Sequence, residues 1–363
     1  MRRTAADMSL LLLSLSVLMP ISLGNEMCNT VCDCTRPVID CTNRGLKTLP
    51  DGIPMRTTVL DLSHNEITSI TDFPPLVNLQ QLKLSHNRLT AVPELPSAVV
   101  SKLAHLDLSS NEISALGQSD MLALRQVGKV DLGHNALTEV PTILANLTEA
   151  RINELNLNNN RLTSLPEHAF SATPSLTTLV LSRNRLRQIH MNALDSMVQL
   201  RSLDLSRNRL RKLEARMFSG LTELRALRLN RNGLKKLEDG TFWGADKLQE
   251  LTLHNNRLHS IDKGWLYGLK TLRKLDLRNN KITTLDPEAW LHSQCTRLEW
   301  LDLSNNAMRE LPPNSFKGLS RLKYLSISDN QLHKIHNRTF DGLNELNSLL
   351  VFMGRAGRYH GTE

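Results

Sequence analysis

The feature that most constrains this chain is a recurring frame, LxxLxLxxNxL, present twelve times. Its asparagines are Asn65, Asn87, Asn111, Asn135, Asn160, Asn184, Asn208, Asn232, Asn256, Asn280, Asn306 and Asn330, spaced 22 to 26 residues apart and most often 24. A period of that length makes each repeat a unit that cannot bury its apolar side alone, so neighbours must stack. The chain is therefore read as an α/β solenoid with a parallel β-sheet on its concave face. Such a body offers an extended surface for binding rather than a catalytic cleft.

Each frame places leucines on alternate positions of a short strand. In the repeat that starts at Leu200, Leu203 and Leu205 point inward, Asp204 points out, and Leu210 follows the asparagine. Asn208 turns inward at the end of the strand, where its amide both donates and accepts and satisfies backbone groups of the turn. Repetition at Asn184, Asn208, Asn232, Asn256 and Asn280 makes a structural asparagine ladder. Phe170, Leu194, Phe218, Phe242, Leu266, Trp290, Phe316 and Phe340 recur at steps of 24 with one of 26, and read as a spine filling the convex side. At about 4.8 Å per strand, twelve repeats give a concave face on the order of 55 Å long. That is room for a protein partner.

The N-terminus reads as a secretory leader over residues 1–24, with Arg2 and Arg3 before an apolar run from Met8 to Leu23. Cys28, Cys32, Cys34 and Cys41 follow within a cap over 25–56. In an exported chain they are read as disulfides rather than a zinc site, and four cysteines allow three pairings. Cys295, in the repeat lengthened to 26 residues, is read as a buried thiol outside the cap. The twelve repeats occupy 57–345. Residues 346–363 read as an incomplete thirteenth repeat and a non-repeat tail, with Gly354 in place of the asparagine, as expected of a chain truncated relative to a longer parent.

Charge is segregated along the solenoid. Asn25 to Ser182 holds 11 basic and 16 acidic residues, whereas Arg183 to Arg278 holds 21 basic and 10 acidic. Arg183, Arg201, Arg207, Arg225, Arg228, Arg231, Arg273, Lys274 and Arg278 fall at outward frame positions and are read as a basic stripe on the concave face, with Arg209 and Arg257 towards one rim. Such a stripe attracts an acidic protein surface or a heparan-type sulfated glycan, and export argues against nucleic acid. Trp300 and Tyr324, outward near the C-terminal end, are candidate anchors for a partner.

Chemistry-bearing motifs are sparse. His64, His86 and His134 share one frame position, but no third ligand supports a metal site. There is no nucleophile elbow, phosphate loop or HExxH string. Asp61, Asp107, Asp131, Asp204, Asp276 and Asp302 recur because the frame reads LDL, not as an acid–base pair. No cofactor site and no enzymatic activity are expected. Sequons at Asn146 and Asn337 place expected glycans away from the strands.

The frame resembles that of extracellular leucine-rich repeat horseshoes, and the cysteine spacing resembles their N-terminal caps. That resemblance implies pairing of Cys28 with Cys34 and of Cys32 with Cys41. Phe242-Trp243-Gly244, the run Lys263-Gly264-Trp265-Leu266-Tyr267-Gly268-Leu269, and Pro287-Glu288-Ala289-Trp290 are not demanded by the generic frame. They resemble the leucine-rich repeats and immunoglobulin-like domains family, from the cap to about Val351. The resemblance implies a non-enzymatic cell-surface protein with immunoglobulin-like domains and a membrane span after the repeats. Such a protein modulates receptor tyrosine kinase or bone-morphogenetic-type signalling. Because this sequence ends within the repeats, the expectation for the repeats alone is a secreted modulator binding a receptor ectodomain or secreted ligand. The competing reading is a structural matrix protein of the small proteoglycan type. It lacks support from Ser-Gly dipeptides, which occur only at Ser219-Gly220.

Overall fold

The computed structural model describes residues 30–352, apart from 118, 119, 121–123, 125, 141–150, 172, 287 and 294. The expected leader, Cys28, the sequon at Asn146 and the tail from 353 lie outside the described residues.

The chain forms a solenoid whose concave face is one 15-stranded sheet. Its first two strands, Asp33–Thr35 and Val38–Asp40, pair antiparallel, and every later strand pairs parallel with its neighbours in sequence order. The register is fixed by the repeat. Leu203 lies opposite Leu179 on one side and Leu227 on the other. A slip of one residue would turn these leucines outward, so burial enforces the pairing. Strands are only three residues long, and from Val38–Asp40 to Tyr324–Ser326 the central residue is buried, as in Ser202–Asp204, whereas Leu349 at the centre of the last strand is exposed. The frame asks for no more, because after Leu205 the chain turns away.

That turn has a fixed geometry. In all twelve frames the residue immediately before the asparagine has a left-handed φ, between 49° at Asn159 and 58° at His64. A non-glycine residue there costs about 1–2 kcal/mol. The neighbouring repeat holds it in place: the Arg207 N–H donates to the Asn230 carbonyl at 2.8 Å, and the Arg183 N–H to that of Ser206 at 3.0 Å.

The ladder asparagines do the rest. Asn208 Nδ2 donates to the carbonyls of Leu181, Leu205 and Ser206 at 2.9, 3.0 and 3.2 Å. Its Oδ1 accepts the Leu186 N–H at 3.0 Å. Asn184, Asn232, Asn256 and Asn280 repeat the pattern, each accepting a leucine N–H 22 residues back. Each asparagine therefore staples its own turn to the previous repeat with groups that would otherwise be buried unpaired.

On the convex side short parallel pairs, such as Ser164–Leu165 with Gln188–Ile189, alternate with turns and brief helices. The spine lies inside: Phe170, Leu194, Phe218, Phe242, Leu266, Trp290 and Phe316 are buried, and Phe340 is half-buried. Phe218 and Phe242 stack at 5.8 Å, and Phe316 and Phe340 at 5.9 Å. Trp265, absent from the expected spine, joins it edge-on to Phe242 at 6.1 Å. The lengthened repeat spends its extra residues on a helical turn, Ala289–Ser293, with Cys295 buried behind it and keeping its thiol.

At the N-terminal end Cys32 is bonded to Cys41, and Cys34 is also in a disulfide. Asn43, with φ 55°, donates its N–H to the Ser63 carbonyl at 3.1 Å, so the cap imitates the turn of a repeat.

Candidate functional site: the concave sheet and its rim

The outward positions of the sheet follow from the frame. The residue on either side of the buried central leucine faces the concavity. Residues 24 apart therefore lie side by side, about 4.8 Å apart. The repeated aspartates at the second outward position are spoken for: Oδ1 of Asp61, Asp107, Asp131, Asp204, Asp276 and Asp302 each accepts the N–H two residues on. They shape the strand exit.

The C-terminal third of the concave face carries the most organised surface. Trp300 and Tyr324 occupy one register position on adjacent strands. Their rings stack at 5.3 Å with 6° between planes. Lys274, one strand earlier, sets its Nζ 5.2 Å over the Trp300 ring. Beside this stack, His254 Nδ1 lies 2.9 Å and Arg278 Nε 3.4 Å from Asp276 Oδ2. Glu299 is shared between Lys323 at 3.2 Å and Arg273 at 3.9 Å. The aromatic pair is thus set in a polar frame whose charges are matched within the chain.

The expected basic stripe divides in two, and its placement needs correction. Arg228 lies on a strand, Ala226–Arg228, and Arg225 immediately before it. Arg273 and Arg278 flank the strand Lys274–Asp276 and are engaged by Glu299 and Asp276. Arg183, Arg207 and Arg231 are not on strands. They sit at the left-handed turn that leaves the sheet, with φ of 56°, 55° and 57°, and belong to the rim. The period-2 alternation of a strand, carried past its third residue, had placed them on the concave face.

The rim has a sequence signal the outward-position count passes over. The segment Arg-Asn-Arg-Leu-Arg occurs at 183–187 and again at 207–211. In both, the asparagine and leucine are buried and all three arginines are exposed. Two buried anchors therefore alternate with three exposed arginines, twice, in adjacent repeats.

Elsewhere His64 and His86 stack at 4.2 Å, a consequence of equal frame position. Among the described residues no group of three or more His, Cys, Asp or Glu side chains could hold a metal ion. Asn337 is exposed on the convex side, but Thr339 of its sequon is buried and donates to the His336 carbonyl at 2.6 Å. Thr241 and Ser315 make the corresponding bond to Glu238 and Pro312 at 2.6 and 2.7 Å, so the repeat itself accounts for that threonine. Among the described residues no helix is long and apolar enough to cross a membrane.

Together the sheet and its open face define a protein built for surface recognition: a parallel solenoid with an exposed concave face and a charged rim. Comparison with known families agrees. Matches to the family described as Leucine rich repeat cover residues 150–210, 198–258, 246–295 and 296–352, and Leucine Rich repeats (2 copies) matches 58–97. The chain belongs to the leucine-rich repeat family.

Human "Leucine-rich repeats and immunoglobulin-like domains protein 1" is 38% identical over 198 residues, covering 47% of this chain and 18% of the relative. Mouse Tsukushi is 32% identical over 133 residues, covering 37% of this chain and 31% of the relative. The chain thus spans less than a third of the length of either relative. These values are too close to separate one branch of the family from another. Among solved structures, a chain of the octameric complex of Latrophilin 3 (Lec, Olf), Unc5D (Ig, Ig2, TSP1) and FLRT2 (LRR) matches with a TM-score of 0.62 and 27% identity. That match covers 83% of this chain and 84% of the other.

Proposed function

We propose that this chain is an extracellular protein-binding module that docks a receptor ectodomain or secreted ligand on the C-terminal third of its concave face, and so modulates receptor signalling of the tyrosine kinase or bone-morphogenetic type. The observation that carries the reading is the Lys274–Trp300–Tyr324 stack. Both rings are half-exposed on an open sheet face, held rigid by mutual stacking and by the cation above. Rigid, partly exposed aromatics lose little entropy on contact, and such residues dominate interface energetics. Intramolecular pairing of Arg273, Arg278 and Glu299 around them supplies a polar rim. The branch resembling the leucine-rich repeats and immunoglobulin-like domains proteins is favoured by the motifs at Phe242-Trp243-Gly244 and Lys263 to Leu269.

The test is binding of the purified full chain to a panel of receptor tyrosine kinase and bone-morphogenetic-type receptor ectodomains. At least one ectodomain is expected to bind, and Trp300→Ala with Tyr324→Ala is expected to weaken that binding at least tenfold while leaving the fold intact. Failure of every ectodomain to bind, or binding that the double substitution leaves unchanged, overturns the proposal.

A further inference from the structure

We infer that the rim carries a second site, distinct from the concave face, for a linear sulfated polysaccharide. It is built by the two Arg-Asn-Arg-Leu-Arg segments. Backbone pairing sets their register: the Arg209 N–H donates to the Leu186 carbonyl at 2.8 Å, and the Leu186 N–H to Asn208 Oδ1 at 3.0 Å. Arg183, Arg185 and Arg187 therefore lie beside Arg207, Arg209 and Arg211. Where their backbones pair, the two segments lie about 4.8 Å apart. All six side chains are exposed.

No ion pair or side-chain hydrogen bond engages any of the six among the described residues. The acids close by in sequence are already taken, one column further round: Glu214 by Lys212 at 2.6 Å and Glu238 by Lys236 at 3.9 Å. Like charges on adjacent rows stand closer than a Debye length of about 8 Å and repel one another. An anion relieves that repulsion.

The form of the grid selects the anion. A single small ion would engage one or two guanidiniums. Six, in two parallel rows on a surface with no enclosure, match a chain that repeats its anionic groups. Planar guanidiniums bind oxyanions through paired N–H groups, which suits sulfate and carboxylate alike. At the exposed rim positions of these two segments there is no aromatic residue on which a nucleobase could stack. There is also no apolar anchor of the kind that dominates protein interfaces. Arg231 continues the column of Arg183 and Arg207, while the column of Arg185 and Arg209 is interrupted at Gly233 and resumes at Arg257.

The experiment measures affinity of the full chain for size-defined heparin oligosaccharides at several salt concentrations. Arg185→Gln, Arg187→Gln, Arg209→Gln and Arg211→Gln are combined in one variant. Arg225→Gln, Arg228→Gln, Arg273→Gln and Arg278→Gln are combined in a second, which removes the same charge from the concave side. The rim variant should bind at least tenfold more weakly at physiological salt, with a log-affinity against log-salt slope reduced by on the order of 3. The concave variant should change affinity less than threefold. Equal loss in both variants, no binding by the parent chain, or equally effective competition by single-stranded DNA or an acidic protein overturns the assignment. Because receptor binding is read separately with the Trp300 and Tyr324 substitutions, failure of either site leaves the other standing.

Discussion

The N–H of Leu186 donates to Oδ1 of Asn208, 22 residues ahead, at 3.0 Å. The same amide donates through Nδ2 to three carbonyls of its own and the preceding repeat. One side chain therefore closes four backbone groups where water does not reach. Asn208→Asp keeps the size but places a second acceptor against carbonyls that need a donor. A buried group left unsatisfied costs about 1–3 kcal/mol. With several orphaned at once, the substitution is expected to destabilise the central repeats by about 3 kcal/mol or more. Hydrogen exchange should show lost protection centred on 181–210. Unchanged exchange there would contradict the stapling role.

Gly220 answers a different constraint. A Cβ added there would stand 2.6 Å from the Asp195 carbonyl oxygen and 2.7 Å from its Cα, both backbone atoms of the previous repeat. Neither can move without breaking the stacking. Gly220→Ala is expected to lower stability by about 1–3 kcal/mol through overpacking, read as a drop in melting temperature. The Ser219-Gly220 dipeptide is thus explained by packing between repeats, which weakens any reading of it as a glycan attachment point.

The N-terminal cap should respond to acid. The Asp40 carboxylate accepts the Thr42 N–H at 2.9 Å. Bonds from Thr42, aided by Arg44 and Lys83, hold it below the usual carboxylate range. A depressed folded-state value means the contribution is complete above the unfolded value of about 4 and is lost as pH falls through the folded one. Asp40→Asn should lessen the fall in cap stability between neutral pH and pH 2, followed by exchange of the Cys41 and Asn43 amides. Identical acid profiles for parent and variant would remove Asp40 from the account.

What the sequence made legible follows from which rule was periodic. Leu203 and Asn208 were readable because burial and backbone satisfaction impose the same residue every 24 positions. Trp300 over Tyr324 and His64 over His86 were readable for the same reason, since equal frame positions become neighbours. Arg183, Arg207 and Arg231 were misplaced because strand alternation was extended beyond the three residues that pair. The switch to left-handed φ lies at a position that accepts His, Ser, Asn, Arg or Asp, so no residue type announces it. Trp265 was missed from the spine because it stands one place before Leu266, whose fit to the 24-residue step drew the assignment.

The Lys274–Trp300 contact separates structure from recognition. Nζ lies 5.2 Å from the ring centroid at a partly exposed site, where such contacts contribute about 0.5–1 kcal/mol. Trp300 also stacks on Tyr324, worth a further ~0.5–1.5 kcal/mol beyond burial. A double-mutant cycle of Lys274→Ala and Trp300→Ala, read by thermal unfolding, should give a coupling of about 0.5–1 kcal/mol. Trp300→Ala alone should cost little more than the sum of the two contacts, because Leu275, Leu301 and Leu325 beneath remain buried. The chain then stays folded, and any large loss of partner binding in Trp300→Ala reports the surface itself. A coupling indistinguishable from zero would mean that the cation does not hold the ring, and the stack would lose its claim to be a preformed anchor.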